Sequence, residues 1–141
     1  MKGIYLLEIK AASPFRLLNK VFYDRQLPEG YYYYSGSAQK NLESRIARHA
    51  GHDKVLHWHI DYITSLTSNK VEKIYIFPEA GKDIECELTR LLSAVPSCSF
   101  PVKGFGNSDC SKCHSHLIYS PTKQQLKEIT DTFAEYFVKE Y

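Results

Sequence analysis

Residues 31–49 read YYYYSGSAQKNLESRIARH. Tyrosine rings lie well on a pleated surface, so the run after Pro28-Glu29-Gly30 predicts a strand, Tyr31 to Ser35, entered through a tight turn. Alternate side chains of a strand point to opposite faces, which puts Tyr31 and Tyr33 on one side and Tyr32 and Tyr34 on the other. One pair must therefore face something other than the near side of the core. From Gln39 to about His52 the pattern becomes helical, with Leu42, Ile46 and Ala50 on one stripe.

Working outward, Lys2 to Lys10 is a mostly apolar β-type run. Val21 to Gln26 reads as a strand joined to Tyr31–Ser35 by a hairpin at Leu27-Pro28-Glu29-Gly30. A second helix is expected from His57 to Leu66 after the Gly51-His52-Asp53 break, then a strand from Val71 to Phe77 stopped by Pro78. Asp83 to Ala94 repeats apolar residues at helical spacing, with Asp83 as the expected N-cap. Residues 96–114 read as a loop and Ser115 to Tyr119 as a short strand. Ser120-Pro121 opens a last helix expected to run to the end with Leu126, Ile129, Phe133, Tyr136 and Phe137 inward. The order β-β-β-α-α-β-α-β-α is that of an α+β domain, a small antiparallel sheet of three to four strands flanked by helices. A core of about 1–95 would carry a loop–strand–helix extension over about 96–141, all in one domain.

At 141 residues, 43% hydrophobic and 24% charged, the chain has an ordinary globular composition. Its 18 basic and 16 acidic residues leave a net charge of +2, too small by itself to imply nucleic acid or a membrane. The amino-terminal apolar run is interrupted by Glu8 and Lys10 and has no small-residue cleavage site. It reads as neither a signal peptide nor a membrane span, which predicts a cytoplasmic location. The four cysteines, Cys86, Cys98, Cys110 and Cys113, are then expected as thiols or metal ligands.

At about 100° per residue, Arg45 and His49 fall on one edge of the Leu42-Ile46-Ala50 stripe, while Arg48 lies farther round. An edge position lets a cation reach over the sheet while its stem stays packed. Gly3-Ile4-Tyr5 on the first strand, Tyr34-Ser35-Gly36 ending the third, and the following helix with Arg45, Arg48 and His49 together resemble the GIY-YIG nuclease superfamily. The stretch YSGSAQKNLESRIARH looks especially like its homing endonucleases. The combination of PEGYYYYSGSA, HWHIDY and GFGNSDCSKCHSHL is similar to a family of small bacterial and archaeal proteins placed in that superfamily, some fused to endonuclease III. Two departures are Ser35, where an aliphatic residue is usual, and a longer gap between the tripeptides, caused by residues 11–27.

The resemblance implies an endonuclease acting on DNA with one Mg²⁺ or Mn²⁺, and the fusions imply DNA-repair proteins as partners. It assigns Tyr5 and Tyr34 to positioning of water or phosphate, Arg45 to charge on the pentavalent phosphorus, and His49 to proton transfer or leaving-group contact. It also places a metal-binding glutamate on the helix at 83. Glu85 fits the usual spacing, with Glu87 in reserve. A tyrosine titrates near ~10 and needs positive charge beside it to act as a base at neutral pH; Arg45 and the metal are the expected sources. Lys40, Arg48, His52 and Lys54, with Arg45 and His49, would form a basic footprint for the DNA backbone.

Two further motifs stay open. His57 and Asp61 are four residues apart on the expected second helix, so the carboxylate could orient the imidazole, or the pair could be an ordinary surface hydrogen bond. In CSKCHSH a single CxxC, Cys110 and Cys113, stands beside two histidines. Zinc would need further ligands such as Cys86 or His59, and buried thiols with Asp109 or Asn107 capping a turn is the competing reading. The rival functions are a non-catalytic nucleic-acid-binding module on the same fold and a redox or zinc sensor built on the CxxC.

Overall fold

The computed structural model describes residues 2–106, 115–133 and 135–141. Asn107, Asp109, Cys110 and Cys113 lie outside the described residues. Along the chain run β1 (Gly3–Ala11), β2 (Phe15–Arg16), a 3-10 turn (Lys20–Phe22), β3 (Gln26–Leu27), β4 (Gly30–Ala38) and α1 (Leu42–Ala50). They are followed by α2 (Asp61–Thr64), β5 (Asn69–Pro78), α3 (Lys82–Ser93), β6 (Leu117–Ser120), α4 (Lys127–Thr130) and β7 (Phe137–Glu140). The class is α+β. One antiparallel sheet in the order β6-β4-β1-β5-β7 carries the fold, and β2-β3 form a separate two-stranded ribbon. Among the described residues, no helix is long and apolar enough to cross a membrane.

β1 is central and buried from Gly3 to Ile9, which is why its sequence reads as a nearly unbroken apolar run. On one face Tyr5, Leu7, Ile9, Tyr32 and Tyr34 pack against Leu42 and Ile46 of α1 and Ile63 of α2. On the other, Ile4, Leu6, Tyr33, Tyr75 and Phe77 pack against Leu88 and Leu92 of α3. The four tyrosines are thus divided between two cores.

The predicted hairpin is corrected: β4 pairs directly with β1, from Gly3 opposite Ala38 to Ala11 opposite Gly30. The expected strand at Val21–Gln26 is replaced by the 3-10 turn and by β3, which pairs only with β2. Tyr23 and Asp24 take positive φ, 61° and 47°, which no extended strand accommodates. β4 also runs three residues past its predicted end. Gly36 lies opposite Tyr5, and a Cβ there would sit 2.5 Å from the phenol ring, so the glycine is what lets the ring cross the neighbouring strand. Gly36→Ala should cost about 1–3 kcal/mol by overpacking, read as a lowered Tm; an unchanged Tm would show that the ring is free to move aside.

The second helix begins at Asp61 rather than at residue 57, because the Asp61 carboxylate accepts the amides of His57 and Trp58 and holds them in a turn. At α3 the cap position is Gly81, and Asp83 sits in the first turn, where a carboxylate complements the helix dipole. The long C-terminal helix is also corrected. α4 is a single turn, and Phe137–Glu140 adds to the free edge of β5, consistent with the β preference of Phe and Val and raising the sheet to five strands.

Candidate functional site

Tyr5 sits mid-sheet on β1 beneath the last turn of α1. The buried stripe Leu42-Ile46 presses that helix down and turns His49 inward, where its Nε2 lies 2.9 Å from Tyr5 Oη. Burial first, then the charge of Lys54, lowers the His49 pKa to about 3, so the ring is neutral at physiological pH. Its Nδ1 is buried with no hydrogen-bond partner. An orphaned acceptor is less costly than an orphaned N–H, which favours the tautomer in which Nε2–H donates to Tyr5 Oη. Tyr5 then keeps its own hydroxyl hydrogen for something else.

Burial also raises the Tyr5 phenol well above its ordinary value, and the charge and hydrogen bond of Arg45 offset this only in part. Tyr34, likewise buried, is raised for the same first reason. Its ring is packed edge-on to Phe105 at 6.0 Å and against Gly106, where a Cβ would come within 2.6 Å. Both phenols are therefore protonated hydrogen-bond donors. Of the two expected sources of positive charge, Arg45 alone does not offset the desolvation of Tyr5.

The two arginines of α1 stack on Trp58, Arg45 at 4.5 Å and Arg48 at 4.6 Å from the ring centre. Arg45 gives Nη1 to the Ser37 carbonyl at 2.6 Å. Arg48 makes a two-pronged pair with Asp61, 2.7 Å on each arm, and also donates to the Val55 carbonyl. Asp61 is fully buried. Burial alone would raise its carboxyl, but Arg48 and the two amides together hold it below the usual range. Two expectations change here. Arg48 is committed to this clasp rather than standing free for phosphate, and the Asp61 carboxylate binds the His57 backbone while the exposed His57 ring stands edge-on to Trp58.

Of the remaining basic footprint, Lys40 is exposed. His52 Nε2 lies 2.7 Å from the Asn69 carbonyl. Lys54 is tied to Thr64 Oγ1 at 2.8 Å and to the His49 carbonyl at 3.3 Å, with its pKa lowered to about 8 chiefly by burial. Both are braced against the protein, so they form a weaker free footprint than their spacing implies.

Glu85 comes from α3, on the other face of the sheet. It is buried, with Oε1 3.1 Å from Nδ1 of the buried His116. Burial lowers the His116 pKa, a hydrogen bond with the Gly106 backbone offsets this in part, and the ring's Nε2 is buried without a partner. Just behind, Ser35 Oγ meets Thr89 Oγ1 at 2.8 Å, and Thr89 bonds the Glu85 carbonyl. The unusual Ser35 is thus a polar pin between β4 and the helix that carries Glu85. Glu87, the reserve candidate, is on the surface paired with Arg90. The Tyr5 and Tyr34 phenols feel the charges of Arg45, Glu85 and Asp61 alike.

Among the described residues, no group of three or more His, Cys, Asp and Glu side chains is placed to share a metal ion. A hard cation such as Mg²⁺ or Mn²⁺ can be held by one or two carboxylates, with water and phosphate oxygens completing the shell. Glu85, buried and 3.1 Å from His116, fits that mode of binding. His116, Trp58 and Thr89 were not legible as site residues. His116 showed only as a histidine in the CxxC-containing stretch, and its partner lies 31 positions away in the chain.

No curated protein and no solved structure matches the chain. A family described as Domain of unknown function DUF123 matches residues 4–138. Spanning nearly the whole length, that match shows that the chain belongs to the DUF123 family.

Proposed function

We propose that the chain is a divalent-metal-dependent endonuclease that hydrolyses phosphodiester bonds in DNA. The observation that carries this reading is the Tyr5 hydroxyl 2.9 Å from His49 Nε2, under the helix that carries Arg45, with Tyr34 on the strand paired to β1 and Gly36 opposite Tyr5. Glu85, 3.1 Å from His116 on the helix across the sheet, is the carboxylate whose charge reaches both phenols. The opposition of Tyr5 and Gly36 on neighbouring strands supports the resemblance to GIY-YIG nucleases.

In this mechanism Arg45 neutralises charge that builds on the pentavalent phosphorus. Tyr5, held by His49, donates its free hydroxyl hydrogen to a phosphate oxygen, Tyr34 does the same from the neighbouring strand, and the proton of the attacking water passes to another phosphate oxygen or to solvent. Glu85, oriented by His116, would hold the Mg²⁺ or Mn²⁺, which when bound supplies further charge stabilisation and lowers the pKa of bound water. The burial of both phenols favours one rival, a nucleic-acid-binding module without chemistry.

Linear, nicked and branched DNA incubated with Mg²⁺ or Mn²⁺ separates the two. Cutting that Glu85→Ala abolishes while binding persists supports the nuclease. Salt-sensitive binding with no cutting of any of the three supports the rival.

A further inference from the structure

Five of the eight exposed large hydrophobic residues among those described, Leu18, Val21, Tyr23, Val55 and Leu56, fall on two segments, 17–25 and 54–59. The segments meet where Phe22 packs edge-on to His59, with ring centres 4.8 Å apart. Phe22 also contacts Phe105, which in turn packs on Tyr34, so this rim is built onto the wall of the candidate site. The second segment carries Trp58, on which Arg45 and Arg48 stack.

Tyr23 is 87% exposed, and both it and Asp24 occupy left-handed backbone, an unfavourable conformation for residues with side chains. The conformation is held firmly. The Asn19 side chain accepts the Val21 amide, the Asn19 carbonyl accepts the amides of Phe22 and Asp24, and Arg16 donates to the Asp24 carbonyl at 2.6 Å. Strain that is locked in place to present an unburied ring points to a ligand for that ring. Lys20 and Arg25 on the same segment and Arg16 just before it are exposed, against Asp24 as the one acid there; Arg25 also donates to the Pro101 carbonyl at 3.0 Å. Aromatic and cationic side chains interleaved in this way suit an unpaired nucleobase and its phosphate.

Building on the proposed nuclease reading, we infer that this rim stacks unpaired bases, with Tyr23 as the platform, so that the preferred substrate carries a single-stranded stretch beside the scissile bond. The test is fluorescence anisotropy with a duplex bearing a single-stranded flap and with a blunt duplex of equal length, with Ca²⁺ replacing Mg²⁺. The wild type should bind the flap DNA more tightly. Tyr23→Ala should weaken flap binding on the order of 10-fold while leaving the blunt duplex within about 2-fold, and Tyr23→Trp should restore the flap preference.

Equal affinity of the wild type for the two DNAs, or a flap preference that survives Tyr23→Ala, overturns the inference but leaves the nuclease reading intact if DNA is still cut. Wild-type self-association lost in Tyr23→Ala, seen by sedimentation velocity, would assign the rim to a second copy of the chain and overturn it as well. Failure to bind any nucleic acid overturns both readings together.

Discussion

Arg48→Met should destabilise the protein by about 3–5 kcal/mol at neutral pH, because it leaves the fully buried Asp61 carboxylate without its cation while keeping most of the arginine stem. For a chain of this length that corresponds to a Tm lower by about 10 °C or more. Adding Asp61→Asn should recover part of the loss, since removing the orphaned charge costs less than leaving it. The dependence on pH has a definite sign. In the wild type the Asp61 carboxyl titrates below its unfolded value. Its contribution is therefore complete above about pH 4 and is lost as pH falls through the folded value. In Arg48→Met burial is left largely unopposed and the carboxyl should titrate high, so the variant gains stability as pH falls. The gap between the two proteins should narrow in acid, and thermal melts from pH 7 to pH 4 would show it. A constant gap would mean that the clasp is not electrostatic.

Arg45→Ala should lower kcat for DNA cleavage on the order of 10²–10³-fold, the usual cost of removing one group that stabilises transition-state charge. Arg45→Lys should restore little of it. An ammonium retains the charge, but it cannot reproduce a planar guanidinium that stacks on Trp58 while reaching the Ser37 carbonyl. Trp58 is the only tryptophan, so its fluorescence reports directly whether the clasp survives each substitution. If kcat falls while the emission spectrum stays unchanged, the loss is chemical. Unaltered kcat in a folded Arg45→Ala protein would remove the arginine from the mechanism.

The parts of this structure legible in the sequence are those written in short-range periodicity. β1, β4, α1, β5 and α3 follow from alternation or from a 3.6-residue stripe, and Arg45 and His49 share an edge by one turn of helix; Tyr5 joined them only through the resemblance of the two tripeptides, because the β1–β4 register was not legible. Elements decided by long-range contacts were not legible. Phe137–Glu140 is apolar enough for a helix, and only the open edge of β5 makes it a strand. His57–Leu66 has helical spacing, yet the Asp61 carboxylate captures the amides that an earlier helical start would have used. The Arg48–Asp61 clasp joins residues 13 apart, and the Glu85–His116 pair residues 31 apart, distances at which side-chain spacing carries no signal. The desolvation of the phenols was not legible for a related reason, since it depends on everything packed around a residue.

The central claim is that Tyr5, Tyr34, Arg45 and Glu85 surround one phosphate. A crystal of the protein with cleaved DNA and Mn²⁺ tests it most directly, through the anomalous signal of the metal. The account predicts a peak bonded to Glu85 and to a phosphate oxygen, with the Arg45 guanidinium and at least one of the two phenols hydrogen-bonded to the same phosphate. A manganese peak away from Glu85, or a phosphate that touches neither Arg45 nor the tyrosines, would contradict it.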